Sequence, residues 1–168
     1  MRVLGVDPGL TRCGVGIVEG TGQQLRLVHA GVVRTEASAE LPERLLAISS
    51  ALAALMDEHE PDVVVVERVF AQHNVRTVMG TAQAGALAIL AAAQRGTQVA
   101  VYTPSEMKAA ITGNGRAEKQ QIGFMVTKVL KLKEMPKPAD TADALALAIT
   151  HVWRGSAKQR LADAVARA

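Results

Sequence analysis

Aromatic residues, cysteine and long apolar runs are all scarce in this chain of 168 residues. Its aromatics are one Trp, one Tyr and two Phe, so the core must consist of aliphatic side chains, and each aromatic becomes a residue of interest. A single cysteine, Cys13, excludes an internal disulfide and fits a reducing compartment. The longest apolar run, AGALAILAAA, is too short to cross a bilayer, so we expect no membrane span.

The composition is that of one ordinary globular domain, with 49% hydrophobic and 21% charged residues. The chain is long enough to bury a single core. The first strand candidate begins at Arg2, so we expect no signal peptide and a cytoplasmic protein. We predict one domain over residues 1–155 and a basic, mobile tail over residues 156–168.

The first part of the chain has the pattern of a β-meander. The segments RVLGVD, CGVGIVE and LRLVHAGVVRT favour strands, and glycine-rich turns separate them. Apolar residues then recur at helical spacing over residues 41–60. We therefore expect three antiparallel strands followed by an amphipathic helix.

The second part of the chain alternates strands and helices. DVVVVERVF and QVAVYT are strand candidates that flank a helix over residues 74–95. A short helix with Ser105 as its N-cap, a helix near residues 117–132 and a final helix follow. The order β-β-β-α-β-α-β-α-α-α predicts an α/β fold, a five-stranded mixed sheet flanked by helices on both faces.

Two acidic residues stand where predicted strands end. Asp7 follows the apolar segment VLGV, and Glu67 follows four valines. An acid in such a position must reach solvent or bind a group that offsets the desolvation of its charge. Because α/β folds place binding sites at strand ends, both residues are candidates for one site. For Asp7, a turn-forming role before Pro-Gly is the alternative interpretation.

Asp140 and Asp143 lie at the start of the final helix. Residues three apart share a helix face, so these two could add their carboxylates to the same site. Acids in a first turn also cap a helix and suit its dipole, so capping is the alternative interpretation of this pair.

Four carboxylates without a Cys or His cluster favour Mg²⁺ or Mn²⁺ over Zn²⁺. Two divalent ions about 3.5–4 Å apart can activate water and stabilise the leaving oxygen in phosphodiester cleavage. We therefore expect two Mg²⁺ ions per site, with Mn²⁺ as a substitute.

A basic segment runs directly into the acidic pair. Between residues 114 and 139, two acidic residues are outnumbered by six basic ones: Arg116, Lys119, Lys128, Lys131, Lys133 and Lys137. Such a segment can bind phosphates, and a solvated helix face is the alternative interpretation. Beside a metal site, it indicates a nuclease in which lysines hold phosphates and acids hold metals.

Four segments of the chain resemble the RuvC family of Holliday-junction resolvases. GVDPGLTRCGVGIVE, VVVVERVF, GNGRAEKQQ and ADTADALALAITH occur in the family's order and spacing, and the resemblance extends from residue 1 to about residue 153. It implies an RNase H-like fold and a homodimer that cuts a four-way DNA junction by paired nicks in strands of like polarity. It further implies a role in recombination and repair with the branch-migration proteins RuvA and RuvB.

The resemblance also assigns roles to individual residues. Four positions match the family's catalytic, metal-binding acids: Asp7, Glu67, Asp140 and Asp143. Lys108 and Lys119 match basic residues that engage the cleaved strand. Phe70 matches an aromatic that wedges against bases at the junction centre, although a core position at the strand end would also suit it. Arg68 and Arg76 are further candidate DNA contacts.

A dimer also follows from the number of cuts. One chain offers one acidic site and a junction needs two cuts, so a two-fold dimer is the economical solution. The helix over residues 74–95 contains small residues that would permit close helix–helix approach: Gly80, Ala82, Ala84, Gly85 and Ala86. Packing of these residues on their own sheet is the alternative.

Three other functions share part of the pattern. A YqgF-type nuclease that acts on RNA has the opening Asp-x-Gly turn, but it does not match ADTADALALAITH. A phosphate-loop ATPase of the actin and sugar-kinase kind has a similar turn, but it needs two domains. A junction-binding module without catalysis would not require all four acids.

Overall fold

The computed structural model describes residues 1–69 and 75–166, except the side chains of residues 75–77 and 156–166. Its strands are β1 (Arg2–Asp7), β2 (Arg12–Thr21), β3 (Gln24–Arg34), β4 (Val63–Glu67) and β5 (Gln98–Tyr102). Its helices are α1 (Leu41–His59), α2 (Val75–Gln94), α3 (Pro104–Thr112), α4 (Lys119–Val129) and α5 (Ala139–Ala166). The element order predicted from the sequence is confirmed.

The strands form one sheet in the order β3-β2-β1-β4-β5. The first three strands are an antiparallel meander, as predicted, while β4 is parallel to both β1 and β5. In the parallel pair of central strands, Val6 lies opposite Val66. The next residues along these two strands are Asp7 and Glu67, so both acids emerge at the same edge of the sheet.

Helices cover both faces of the sheet, as predicted. Val3 and Val65 belong to the core formed with α3, α4 and α5, whereas Leu4 and Val66 belong to the core formed with α1 and α2. Because side chains alternate along a strand, Asp7 lies on the same face as Val3, beside α5.

Glycines in β1 and β2 let α5 lie unusually close to the sheet. A methyl group at Gly5 would collide with the backbone carbonyl of Ala144, and one at Gly14 with that of Asp140. Gly14 is paired with Asp7 across the β1–β2 ladder. The first turn of α5 is therefore held beside the end of β1.

The predicted cap of α3 is wrong. The helix begins at Pro104 and its N-cap is Thr103, whose Oγ1 accepts a hydrogen bond from the Glu106 N–H at 3.1 Å. The Glu106 carboxylate in turn accepts the Thr103 N–H at 2.8 Å. Proline suits the first helical position, so the cap falls on the residue before it and Ser105 lies inside the helix.

The last helix runs from Ala139 to Ala166, past the domain boundary predicted at residue 155. That boundary and the mobile tail remain predictions. Of the helices in the described part of the chain, none combines the length and the apolarity that crossing a membrane requires.

Candidate active site

Two adjoining cavities open where β1 and β4 end. The larger, of about 560 Å³, is lined by Asp7, Asp140 and Lys119 among others. The smaller, of about 170 Å³, is lined by Asp7, Glu67 and Asp143 together with Lys108 and Lys119. Asp7 and Lys119 line both cavities, so we treat them as one feature and call it the acidic groove. The four predicted acids and both predicted lysines thus meet in one place.

Burial and crowding of like charges disfavour ionisation of the two strand-end acids. Burial raises the pKa of Asp7 to about 8, and the carboxylates of Glu67, Asp143 and Asp140 add to this effect while Lys119 opposes it. Burial and Asp143 raise the pKa of Glu67 to about 7, against the opposing influence of Lys119 and Lys108. These carboxylates are therefore near enough to one another to be coupled electrostatically.

Asp143 is the more buried of the two acids of α5. Its side chain is 10% exposed, and its Oδ2 lies 3.3 Å from the Nζ of Lys119, the first residue of α4. Burial raises the pKa of Asp143 even though Lys119 lowers it. Burial lowers the pKa of Lys119, but Asp143, Asp7 and Asp140 together raise it above its ordinary value.

Asp140 forms an ion pair across the groove. Its Oδ2 lies 3.2 Å from the Nε of Arg12, the first residue of β2. Since α5 begins at Ala139, Asp140 lies inside the first turn rather than at the N-cap position. Its negative charge still suits the helix dipole, but its carboxylate lines the groove.

The donor set of the groove fits a hard divalent cation. Within the described residues, no three acidic, His or Cys side chains lie close enough together to enclose a metal ion. Arg12 and Lys119 instead hold the two acids of α5. All four acidic donors offer carboxylate oxygens, which Mg²⁺ and Mn²⁺ prefer. A cation would also relieve the mutual repulsion that raises the pKa of Asp7.

The other predicted DNA contacts lie outside the acidic groove or outside the described residues. The side chain of Arg68 is exposed just after Glu67, and its backbone N–H donates to the carbonyl of Tyr102 at 2.8 Å. Arg76 lies on α2, but its side chain is not among those described. Phe70 lies outside the described residues. The roles predicted for these three residues remain untested.

Sequence reasoning missed two arginines that the fold brings to the groove. Arg12 and Arg44 line the larger cavity with Thr11. Arg12 lies only five residues after Asp7, so its place within the same turn was a usable signal. Arg44 lies on α1, far from the acids in sequence, and only the tertiary structure reveals its position.

Comparisons with known proteins agree with the resemblance seen in the sequence. The family described as crossover junction endodeoxyribonuclease RuvC matches residues 3–151. A curated protein of that name from Streptomyces griseus subsp. griseus is 64% identical over 167 residues, which are 99% of this chain and 82% of that protein. Its counterpart from Thermobifida fusca is 61% identical over 165 residues, which are 98% of this chain and 91% of that protein.

Solved structures lead to the same family. The T. thermophilus RuvC in complex with Holliday junction substrate matches with a TM-score of 0.89 and 34% identity, covering 94% of this chain and 96% of that one. The yeast mitochondrial Holliday junction resolvase Ydc2 matches with a TM-score of 0.67 over 94% of this chain and 80% of that one, but at 13% identity it shows a shared fold alone.

Proposed function

The chain belongs to the RuvC family of crossover junction endodeoxyribonucleases, and on this premise we propose that it resolves four-way DNA junctions. The fold is RNase H-like, as the resemblance implied. The observation that carries the proposal is the acidic groove, in which four acids from two strand ends and one helix meet two lysines. Cleavage is proposed to be paired, symmetric nicking of strands of like polarity.

The acids supply the metal-binding half of the mechanism. We propose two Mg²⁺ ions per groove, replaceable by Mn²⁺, bound by the four carboxylates: Asp7, Glu67, Asp140 and Asp143. When bound, such ions make water nucleophilic and stabilise the leaving oxygen of a phosphodiester. The sheet fixes Asp7 and Glu67 side by side, while the close approach of α5 brings Asp140 to the end of β1.

The cations supply the DNA-binding half. Lys108 and Lys119 line the smaller cavity beside Glu67, and we propose that they hold phosphates of the cleaved strand. Phe70, three residues after Glu67, is proposed to wedge against bases at the junction centre, because base–aromatic stacking contributes about 1–3 kcal/mol per base. Arg68 and Arg76 are proposed as peripheral phosphate contacts.

We further propose that the protein acts as a homodimer, with α2 at the interface. Gly80 and Gly85 of this helix face Leu10 and Pro8 of the same chain, which supports packing on its own domain for that side. The opposite side leaves large apolar residues exposed: Met79, Ile89 and Leu90. Such a stripe is suited to a second copy. Partnership with RuvA and RuvB and a cytoplasmic location are proposed from family membership.

One experiment separates the proposed junction cleavage from a YqgF-type nuclease activity and from junction binding without catalysis. Purified protein is incubated with a labelled four-way junction, a linear duplex and a single-stranded RNA, with and without Mg²⁺. The proposal predicts symmetric nicking of the junction that requires Mg²⁺, with the other two substrates left intact. Cleavage of the RNA would favour a YqgF-type activity, and binding without cutting would favour a junction-binding module.

A further inference from the structure

Arg44 of α1 is held in a fixed orientation by two hydroxyl groups. Its Nε donates to the Oγ1 of Thr35 at 2.9 Å, and its Nη2 donates to the Oγ1 of Thr11 at 2.8 Å. The hydroxyl of Thr35 in turn donates to the backbone carbonyl of Leu10. These bonds tie the guanidinium to the end of β3 and to the turn that follows Asp7.

The charge of Arg44 has no acidic partner in the described part of the chain, where no carboxylate lies within ion-pair distance of it. Other half-buried arginines of this protein do have one: Arg2 lies beside Glu19 and Arg95 beside Asp57. An arginine that is partly removed from water and oriented only by neutral hydroxyls is suited to an anionic ligand, because a bound anion would balance its charge.

Arg44 lines the part of the acidic groove to which α3 contributes no lining residue. It borders the larger cavity, whereas Lys108 borders the smaller one, and Asp7 and Lys119 belong to both. Asp7 therefore lies where the part of the groove that Lys108 borders meets the part that Arg44 borders. A nucleic-acid strand whose reacting phosphate lies at the acids would place flanking phosphates toward both of these cations.

We propose that Arg44, oriented by Thr11 and Thr35, binds a backbone phosphate of the cleaved strand on the side of the reacting phosphate opposite Lys108. This inference rests on the proposed nuclease function and names a further part of its substrate site. The two hydroxyl contacts use one edge of the guanidinium and fix its plane before DNA arrives. Such pre-organisation lowers the entropic cost of binding the phosphate.

The test removes the phosphate charge and the arginine separately and together. Single-turnover cutting is measured on a series of four-way junctions, each with one neutral methylphosphonate in place of a phosphate near the cut. The parent protein is compared with Arg44→Gln and with Arg26→Gln. Arg26 is the matched control. It is an exposed arginine of β3 that pairs with Glu19, and Glu19 lies near the end of β2 that is away from Arg12 and the groove.

For the parent, we expect one neutral linkage, on the side of the reacting phosphate opposite Lys108, to slow cutting about tenfold or more. This linkage would remove one charge-assisted contact with Arg44. Arg44→Gln should slow cutting of the unmodified junction by a similar factor and be insensitive to that linkage, because both changes remove the same interaction. Arg26→Gln should behave as the parent. Without metal, Arg44→Gln should also lower the slope of log binding constant against log salt by about one.

If the decrease in cutting rate caused by Arg44→Gln and that caused by each neutral linkage multiply at every position, Arg44 binds none of the tested phosphates. The inference is then overturned, while the nuclease function stands. If the parent does not nick the unmodified junction, the proposed function itself fails. Circular dichroism establishes whether Arg44→Gln is folded. Should it not fold, Thr11→Val replaces it, because valine keeps the shape of threonine but removes the acceptor that orients Arg44. Thr11→Val must then reduce the sensitivity to that one linkage, while Thr35 still orients the remaining charge of Arg44.

Discussion

The Nζ of Lys119 lies 3.3 Å from the Oδ2 of Asp143, and this contact joins the start of α4 to the first turns of α5. The same ammonium lowers the pKa of Asp7 and of Glu67. One cation thus stands among acids that come from three elements of the fold. In the proposed mechanism, phosphates bind the basic side chains of the groove and divalent cations bind its carboxylates, because residues of both kinds line it.

Asp7→Asn is expected to abolish cutting while junction binding persists. The change removes one carboxylate from the proposed metal site but leaves the lysines and Arg44, which carry affinity for phosphate. Loss of several kcal/mol of transition-state stabilisation corresponds to a rate decrease of about a thousandfold or more. Gel-shift binding and single-turnover cutting in Mg²⁺ measure the two properties. Asp57→Asn, an exposed acid paired with Arg95, is the matched control. Equal rates for Asp7→Asn and the parent would refute the assignment.

The stability of the metal-free protein is expected to fall as pH rises from about 4 to about 8. Between those values an unfolded chain releases the protons of Asp7 and Glu67, whereas the folded protein retains them because both folded-state pKa values are raised. The contribution of these two acids to folding therefore becomes less favourable with each step in pH, until Asp7 also ionises in the folded state, and it outweighs the smaller, opposite contribution of His29 and His151, whose pKa values burial lowers. Thermal unfolding followed in a chelator at several pH values measures this trend.

Mg²⁺ should restore stability at pH 8 more than at pH 5, because the cation binds the ionised carboxylates. Asp7→Asn should flatten the pH dependence, since it removes the group with the larger shift. A melting temperature that rises with pH in the metal-free parent would contradict the coupling of these acids.

Phe70→Ala is expected to slow cutting of an intact junction without changing metal binding. The proposed wedge acts on the opening of DNA, and stacking of one base contributes about 1–3 kcal/mol, so a decrease of roughly tenfold is expected. Phe124→Ala is the matched control, because Phe124 is the other phenylalanine and is 56% exposed on α4. Rates are compared on an intact junction and on one with unpaired bases at its centre. Equal cutting of the intact junction by Phe70→Ala and the parent would exclude the wedge.

Leu90→Glu is expected to shift the protein from dimer to monomer. Leu90 is 52% exposed on the outer side of α2, next to the equally apolar Ile89, and a carboxylate buried against a second copy would be strongly unfavourable. Light scattering after gel filtration gives the mass. Phe124→Glu, on the other side of the sheet, should leave the mass unchanged. A dimeric Leu90→Glu variant would place the interface elsewhere.

The sequence predicted the parts of the fold that depend on local pattern. Apolar runs bounded by turn residues predicted the strands, apolar residues at helical spacing predicted the helices, and the positions of Asp7 and Glu67 after strand segments predicted their place at strand ends. The cap of α3 was mispredicted because Ser105 and Thr103 are both good capping residues and only the position of Pro104 decides between them. Arg44 could not be predicted, since its approach to Thr11 depends on how α1 lies across the sheet.

Gly5 and Gly14 carry no functional group, yet they determine how far α5 stands from the sheet. Alanine at either position would push the helix outward by roughly the width of a methyl group and carry Asp140 and Asp143 away from the strand-end acids. In a survey of tolerated substitutions, these two sites should therefore be as restrictive as the carboxylates themselves. The damage would appear as weakened affinity for divalent ions together with a loss of stability, because the missing side-chain atoms at these two positions set the spacing between α5 and the sheet.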